Sequence, residues 1–315
     1  MKIEHPDTIG LPKRCLGLTS RERLSRAMKP YLFVLPIIVL ATAFSYYPFI
    51  NTFIMSLSKV NSRAQITAFN GFANFISLFS RSAFQNALGV TFRFAAMYLP
   101  VAVILPLCLA LVARQKKPGS NAYQTLFAMP MAMSMAACSM VFKEIFKRKS
   151  GVLNYILTQL GVYANMTNIN WLNDKTWTLP SLTLIQVWIH LGFNFMLLLA
   201  ALRNVPQELL ESADLEGAGY WHKVFHIMIP TISPTIFFVI CTQMIAGLMM
   251  SGPVMLLTRG DPQNSTVTLI YYIYNSGFNN SNYALGSTAS ICAFLITFLF
   301  LLSNFLYEKK GVVYE

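Results

Sequence analysis

Six stretches of the chain stay apolar for the length of a membrane crossing, and no other feature constrains its fold as much. They run over residues 31–57, 88–112, 122–142, 179–202, 224–257 and 285–307. An α-helix rises about 1.5 Å per residue, so roughly 20 apolar residues cross a hydrocarbon core about 30 Å thick. Peptide groups in lipid find no water and must pair within their own segment, which makes each block a helix. The expected fold class is an all-α polytopic membrane protein with about six transmembrane helices. The fifth block is too long for one straight span. Pro230, Pro234 and the pair Gly252-Pro253 are expected to bend or divide it.

The formal charge of +12 would suggest nucleic acid in a soluble chain. Only 11% of the residues are charged, against roughly 25% in soluble domains, and the cations fall between the apolar blocks. With the N-terminus in the cytoplasm, fourteen Lys and Arg lie inside and nine outside, Arg93 being within a span. The positive-inside rule favours that orientation, with both termini cytoplasmic and no nucleic acid as partner. The run KEIFKRK (Lys143–Lys149) opposes it. The basic tail, residues 1–30, is read as part of a signal anchor, since the block after it is too long for a cleaved leader. A membrane domain, residues 31–307, and a short tail, 308–315, complete the division. Cys15, Cys108, Cys138, Cys241 and Cys292 are scattered without a C-x-x-C pair, which offers neither a disulfide framework nor a zinc site.

Between the fourth and fifth blocks lies a polar island, ELLESADLEGAGYWHKVFHIMIP (Glu208–Pro230), with four of the chain's twelve acids. Pro206 suits a first helical position, and Glu208 and Glu211 complement the positive end of a helix starting there. Leu209, Leu210 and Ala213 make an apolar stripe. Gly217 is the expected left-handed residue past the helix end. A second helix should start near Tyr220 and bend at Pro230. The product is a short helix on the cytoplasmic surface whose small residues allow close approach of another backbone. An ordinary solvated loop is compatible with that composition, so the spacing has to decide.

That spacing is Glu211-Ser212-Ala213, three residues, Gly217, nine residues, Ile227, one residue, Ile229-Pro230. It resembles the EAA loop of ABC importer permeases, with Ser212 in place of Ala and Ile229 in place of Leu. The runs GVLNYILTQLG (Gly151–Gly161), NWLND (Asn170–Asp174), QVWIHLGFNFMLLLAALRNVPQELLESADLEGA (Gln186–Ala218) and STVTLIYYIYNSGF (Ser265–Phe278) are similar to the carbohydrate-uptake branch, the malto-oligosaccharide and glycerol-3-phosphate type. Where that branch commonly has Gly-Gly-Pro, this chain has Gly260-Asp261-Pro262. The resemblance implies a type I ABC importer permease fold in a bacterial inner membrane, forming half of a path for a sugar, oligosaccharide, polyol or glycerophosphate. It implies a homologous second permease subunit, an extracytoplasmic solute-binding protein, and an ATPase dimer seated on the EAA helix through Glu211, Ser212, Ala213, Gly217, Ile227 and Pro230. ATP and Mg would be held by that ATPase. This chain has no Gly-Lys pair and so no phosphate-binding loop of the G-x-x-x-x-G-K-[ST] kind.

Polar side chains inside spans are the candidates for the path. Arg93 could meet an anionic or hydroxylated solute, or snorkel to headgroups. Trp188 could stack on a sugar ring. Asn194 and Gln243 could bind hydroxyls, or bond between helices. Ser251, at the Gly-Pro break, could expose free carbonyls. His222 and His226 are four apart with no third ligand, which argues against a metal. The Met129–Met135 run reads as adaptable packing. Two other readings are possible. A self-contained secondary transporter or channel needs an ion site, usually acids within spans, and the blocks hold none. An intramembrane enzyme has only His190 at depth.

Overall fold

The computed structural model describes Tyr31 and residues 33–115, 120–161 and 169–311. The tail of residues 1–30, Cys15, Lys116, Lys117 and residues 312–315 lie outside the described residues. The chain divides into two units, Met1–Thr52 and Phe53–Glu315.

In the first unit the described backbone is the beginning of helix α1 (Phe33–Ser56). Thr42–Tyr46 forms a wide π turn just before Pro48, which has no N–H to offer the preceding turn. Phe33, Ile37, Leu40 and Phe44 are all exposed, the surface of a helix meant for lipid or another chain.

The second unit opens with a hairpin that the expectation of an all-helical chain did not include. Strand β1 (Ser58–Val60) pairs antiparallel with β2 (Ile66–Phe69). Its cause is local. The Asn61 side-chain oxygen accepts from the backbone N–H of Arg63 at 3.0 Å and of Gln65 at 2.9 Å, closing the turn. Helix α2 (Ala73–Phe79) follows.

Helix α3 (Ser82–Arg114) begins six residues ahead of its apolar block and holds Pro100 and Pro106 without breaking. Its buried residues Ala87, Val90, Thr91, Phe94, Tyr98 and Ala102 recur every three or four positions. Phe94, Tyr98 and Ala102 pack against α7 (Thr178–Arg203), whose buried stripe includes Leu182, Gln186, Asn194, Phe195 and Leu202, while Ala87 and Thr91 meet the chain around Leu269. In lipid there is no hydrophobic drive between helices, so close packing of small residues and interhelical hydrogen bonds hold such pairs.

The third block was expected as a span, and it is bent sharply. Helix α4 (Ser120–Ala128) runs into a tight turn, Met129–Ala132, and α5 (Met135–Ile145) leaves at 108° to the arm before it. Pro130 withdraws a donor from the turn, and the Ser134 hydroxyl caps α5 by accepting from Ala137 N–H at 3.1 Å. The elbow rests against Gly192 of α7. A β-carbon there would lie 2.8 Å from the Ala128 carbonyl and 2.9 Å from the Met131 nitrogen. Gly192→Ala is therefore expected to lower stability by about 1–3 kcal/mol, because backbone has to move. Thermal unfolding in detergent checks it; an unchanged midpoint contradicts it.

The stretch after α5 holds α6 (Val152–Gln159). The island supplies α8 (Gln207–Leu215) and α9 (Tyr220–Thr231), and α10 (Ser233–Leu248) departs from α9 at 70°. The bend is at Ile232 (φ −91°, ψ 9°) rather than at Pro230. Pro230 opens a last helical turn where its missing donor is harmless. Pro234 opens α10 in the same way, so the break falls between the two. After α10 come a π turn at Val254–Thr258, α11 (Leu269–Tyr274) with a π turn at Asn275–Asn279, and α12 (Tyr283–Gly311). The fifth block is thus divided at both places its prolines predict. Among the described residues, four helices are long and apolar enough to cross a membrane, or up to six if each bent pair is one span.

Candidate functional site: the island, the polar network and the outer cleft

The island ends α8 with two crossed hydrogen bonds. Ala218 N–H donates to Ala213 O at 2.8 Å, and Gly217 N–H to Asp214 O at 3.0 Å. This motif needs a left-handed residue, and Gly217 has φ +77°. Pro206 is the residue before the helix rather than its first. The apolar stripe is also narrower than expected. Leu210 and Ala213 are buried, whereas Leu209 is exposed, because α8 lies across the ends of α3 and α7 with only one edge down.

That edge is tightly held. Val205, Leu210, Val224 and Met228 are buried in one cluster with Ala110 and Ala113 of α3 and Leu198 and Leu202 of α7. Arg114 at the end of α3 donates from Nε to Leu202 O at 2.9 Å and reaches Met228 Sδ at 3.8 Å. Lys223 pairs with Asp214, tying α9 to α8. Ile227 packs partly buried against the same cluster, and Pro230 is half-buried beside it. The underside of α8 thus shares one packed cluster with the ends of both long helices.

The upper face is open. Glu211, Ser212 and Gly217 are exposed, Leu215 is 92% exposed and Trp221 65%, with Phe225 stacked on the Trp221 ring. Leu215, Trp221 and Phe225 thus leave three large apolar side chains open among the acids of the island. His222 and His226 stack at 4.1 Å, and among the described residues no group of three or more metal-ligating side chains forms.

The span candidates separate into two sets. Asn194 and Gln243 are buried and spent on each other. Tyr98 OH donates to Gln243 Oε1, Gln243 Nε2 to Asn194 Oδ1 at 2.9 Å, and Asn194 Nδ2 to Ala102 O at 3.1 Å. The chain of bonds clamps α3, α7 and α10 at one level. Tyr98, absent from the sequence expectations, is its donor. A tyrosine inside a span announces such a role, because its hydroxyl needs a partner when buried. Gln186, also buried on α7, has a side-chain oxygen with no partner among the described residues.

Trp188 stands apart, 38% exposed and edge-on to Phe142. Arg93 is exposed on the face of α3 away from Tyr98 and is not brought near Asn194 or Gln243. It lies about three turns from the helix start and five residues into its apolar block. Ser251 is half-buried in the break after α10. Carbonyls there are less free than expected: Met250 O accepts from the Thr268 hydroxyl at 2.8 Å and Ser251 O from Met255 N–H at 2.9 Å. Gly252 admits the Met135 thioether, which a β-carbon would strike at 1.8 Å, so this methionine does pack across the break.

The sequence reading missed a cleft of about 780 Å³ where the polar stretch after Thr258 meets the start of α3. Arg81, Asn86, Gln263, Asn264, Asn275 and Asn280 supply its polar lining. Asn86 Nδ2 donates to Asn264 O at 2.8 Å, and Gln263 and Asn264 both have positive φ. Its signal was split between two polar segments far apart in sequence.

The comparisons with known proteins agree with this architecture. A family model, the binding-protein-dependent transport system inner membrane component, matches residues 75–309. The sn-glycerol-3-phosphate transport system permease protein UgpA of Yersinia enterocolitica is 28% identical over 94% of this chain and 99% of its own. The lactose transport system permease protein LacF of Rhizobium radiobacter is 31% identical over 84% of this chain and 88% of its own. In the crystal structure of a bacterial alginate ABC transporter in complex with an alginate pentasaccharide-bound periplasmic protein, one chain superposes with a TM-score of 0.81. It is 22% identical and covers 93% of this chain and 99% of that one, a likeness of fold. The match across the spans and the island establishes that this chain belongs to the binding-protein-dependent transport inner membrane components, the permeases of ABC importers.

Proposed function

We propose that the chain forms one half of the translocation path of an ATP-driven importer, paired with a homologous permease, and takes up a hydroxyl-rich solute of the sugar, oligosaccharide or glycerophosphate class. The single observation that carries the coupling is the island: a bare surface around Glu211, Ser212, Gly217 and Leu215, locked from beneath onto the ends of α3 and α7. An ATPase dimer that binds ATP and Mg and closes on α8 would drive both helices. A ligand shifts such an equilibrium only by its differential affinity for the two states, so the grip on α8 must differ between ATP-bound and ATP-free partners.

In this reading both termini and the island are cytoplasmic. The cleft around Arg81 and Asn280 opens outside, where a binding protein would deliver solute. Trp188 offers an exposed ring for stacking on a sugar face, with Arg93 and Ser251 as further candidate contacts that the fold does not gather at one place. Asn194 and Gln243 hold the three helices that frame it.

Reconstitution in proteoliposomes tests the reading. Uptake should require the second permease, the ATPase with ATP, and the binding protein, and should stop when any one is omitted. Uptake by this chain alone, driven by an ion gradient, contradicts it.

A further inference from the structure

The run KEIFKRK opposes the topology that the other loops support, and the structure gives it a use. After α5 the chain turns sharply at Gly151, where a β-carbon would lie 2.2 Å from the Lys147 carbonyl. Lys147 pairs with Glu144, while Arg148 and Lys149 line a cleft of about 310 Å³ with Ser150, Val152, Asn154, Tyr155 and Thr158. Two cationic side chains thus stand beside the Ser150 hydroxyl and the Tyr155 phenol, donors suited to a phosphate diester, while the Thr158 hydroxyl is spent on Asn154 O at 2.8 Å.

Helix α6 carries two apolar faces. Leu153 and Leu157 pack into the cluster of Phe146, Trp171 and Leu182. The other face is bare: Val152 54%, Tyr155 67%, Ile156 46% and Leu160 68% exposed, at helical spacing. Its height is fixed. Asn154 accepts from Trp171 Nε1 at 2.7 Å and donates to Arg148 O at 2.9 Å and to Ile169 O at 3.2 Å. The Trp171 ring meets edge-on that of Trp177, the residue before spanning helix α7. Tryptophans at the start of a span sit at headgroup level, so α6 is pinned at that depth.

We propose that α6 and the turn before it are a binding site for an anionic phospholipid. Arg148 and Lys149 hold the headgroup phosphate, and Val152, Tyr155, Ile156 and Leu160 enter the adjoining acyl boundary. The geometry is that of an interfacial amphipathic helix with basic residues beside its apolar face. It also accounts for a basic loop on the extracytoplasmic side, since lipid charge and not topogenesis retains it. The inference rests on membrane embedding and is independent of ATPase docking.

The test is native mass spectrometry of the full chain, released from nanodiscs and titrated with phosphatidylglycerol or phosphatidylethanolamine. Wild type should prefer phosphatidylglycerol. The pair R148Q/K149Q should weaken it about thirtyfold, near fivefold per cation, and weaken phosphatidylethanolamine, whose own ammonium offsets its phosphate, far less. Arg148→Lys should restore most of the preference. I156S/L160S, which keeps the charges, should weaken both lipids alike. No preference in wild type, or a preference unaltered by R148Q/K149Q, overturns the proposal. So does displacement of the lipid by soluble glycerol phosphate at equal concentration, the mark of a free-anion site, or by a solute-binding protein, the mark of a protein-docking face.

Discussion

Gly217→Asp is expected to leave the chain inserted and folded while its association with the ATPase falls about a hundredfold, roughly 2–3 kcal/mol. The separation of the two effects comes from the geometry at the end of α8. The residue has φ +77°, and a β-carbon there meets nothing within 4 Å in this chain. Aspartate visits the left-handed region occasionally, because its short polar side chain bonds locally, so the backbone strain it adds at Gly217 is smaller than most side chains would add. The cap bonds from Ala218 to Ala213 and from Gly217 to Asp214 use backbone alone and survive. What changes is the outer surface, where a fifth carboxylate joins Glu208, Glu211, Asp214 and Glu216 at the spot a partner must approach most closely. Co-purification with the ATPase and solute uptake check it, with Gly217→Asn separating bulk from charge. Unchanged co-purification of the Asp variant would remove the docking surface from the account.

The second large effect belongs to Gln243. Replacing it with Ala removes the acceptor of Tyr98 OH and the donor to Asn194 Oδ1 together. Both groups stay buried without a partner, so a loss of about 2–4 kcal/mol is expected. Asn194→Ala should cost about 1–3 kcal/mol by the same physics. The double variant should fall short of the sum by about 1–2 kcal/mol, since the shared bond can be lost only once. Thermal or denaturant unfolding of the purified chain reads all three. Additive losses, or no loss, would mean that the two amides do not clamp α3, α7 and α10. The cycle also separates clamping from solute contact. A direct solute role lowers uptake without touching stability, whereas a clamp loses both.

Much of the fold was legible because membrane spans write a strong signal. Each helix closes its own hydrogen bonds, so length and apolarity suffice to place it. The breaks were legible wherever proline caused them, as at the two ends of α10, although sequence could not say that Ile232 rather than Pro230 is the hinge. The elbow between α4 and α5 was missed because its cause is shared. Pro130 and Ser134 permit it, and the seat at Gly192, more than fifty residues later, fixes it. The hairpin β1–β2 was missed for a plainer reason: its turn is made by one side chain, Asn61, in a short polar loop.

The site divides along the same line. The cap at Gly217 and the acids around it are local and could be read from spacing. The amide network could not, because Tyr98, Asn194 and Gln243 come from three helices and a residue list does not say whether Asn194 and Gln243 face each other or a solute. Arg93 illustrates the limit. Its place in the apolar block could be read, but not that it sits on the face of α3 away from Tyr98. The cleft joining Asn86 to Asn264, 178 positions apart in the chain, left no mark in either segment alone.

The central claim is that the face of α8 opposite Leu210 and Ala213 is the seat of the ATPase. Introducing Leu215→Cys in a cysteine-free background, with Asn280→Cys in the outer cleft as control, tests it most directly. A short bifunctional crosslinker applied to the assembled importer should join position 215 to the ATPase, with a yield that changes on adding ATP, and leave position 280 untouched. Position 215 labelled from outside intact cells by an impermeant thiol reagent, or never joined to the ATPase in either nucleotide state, would contradict the account.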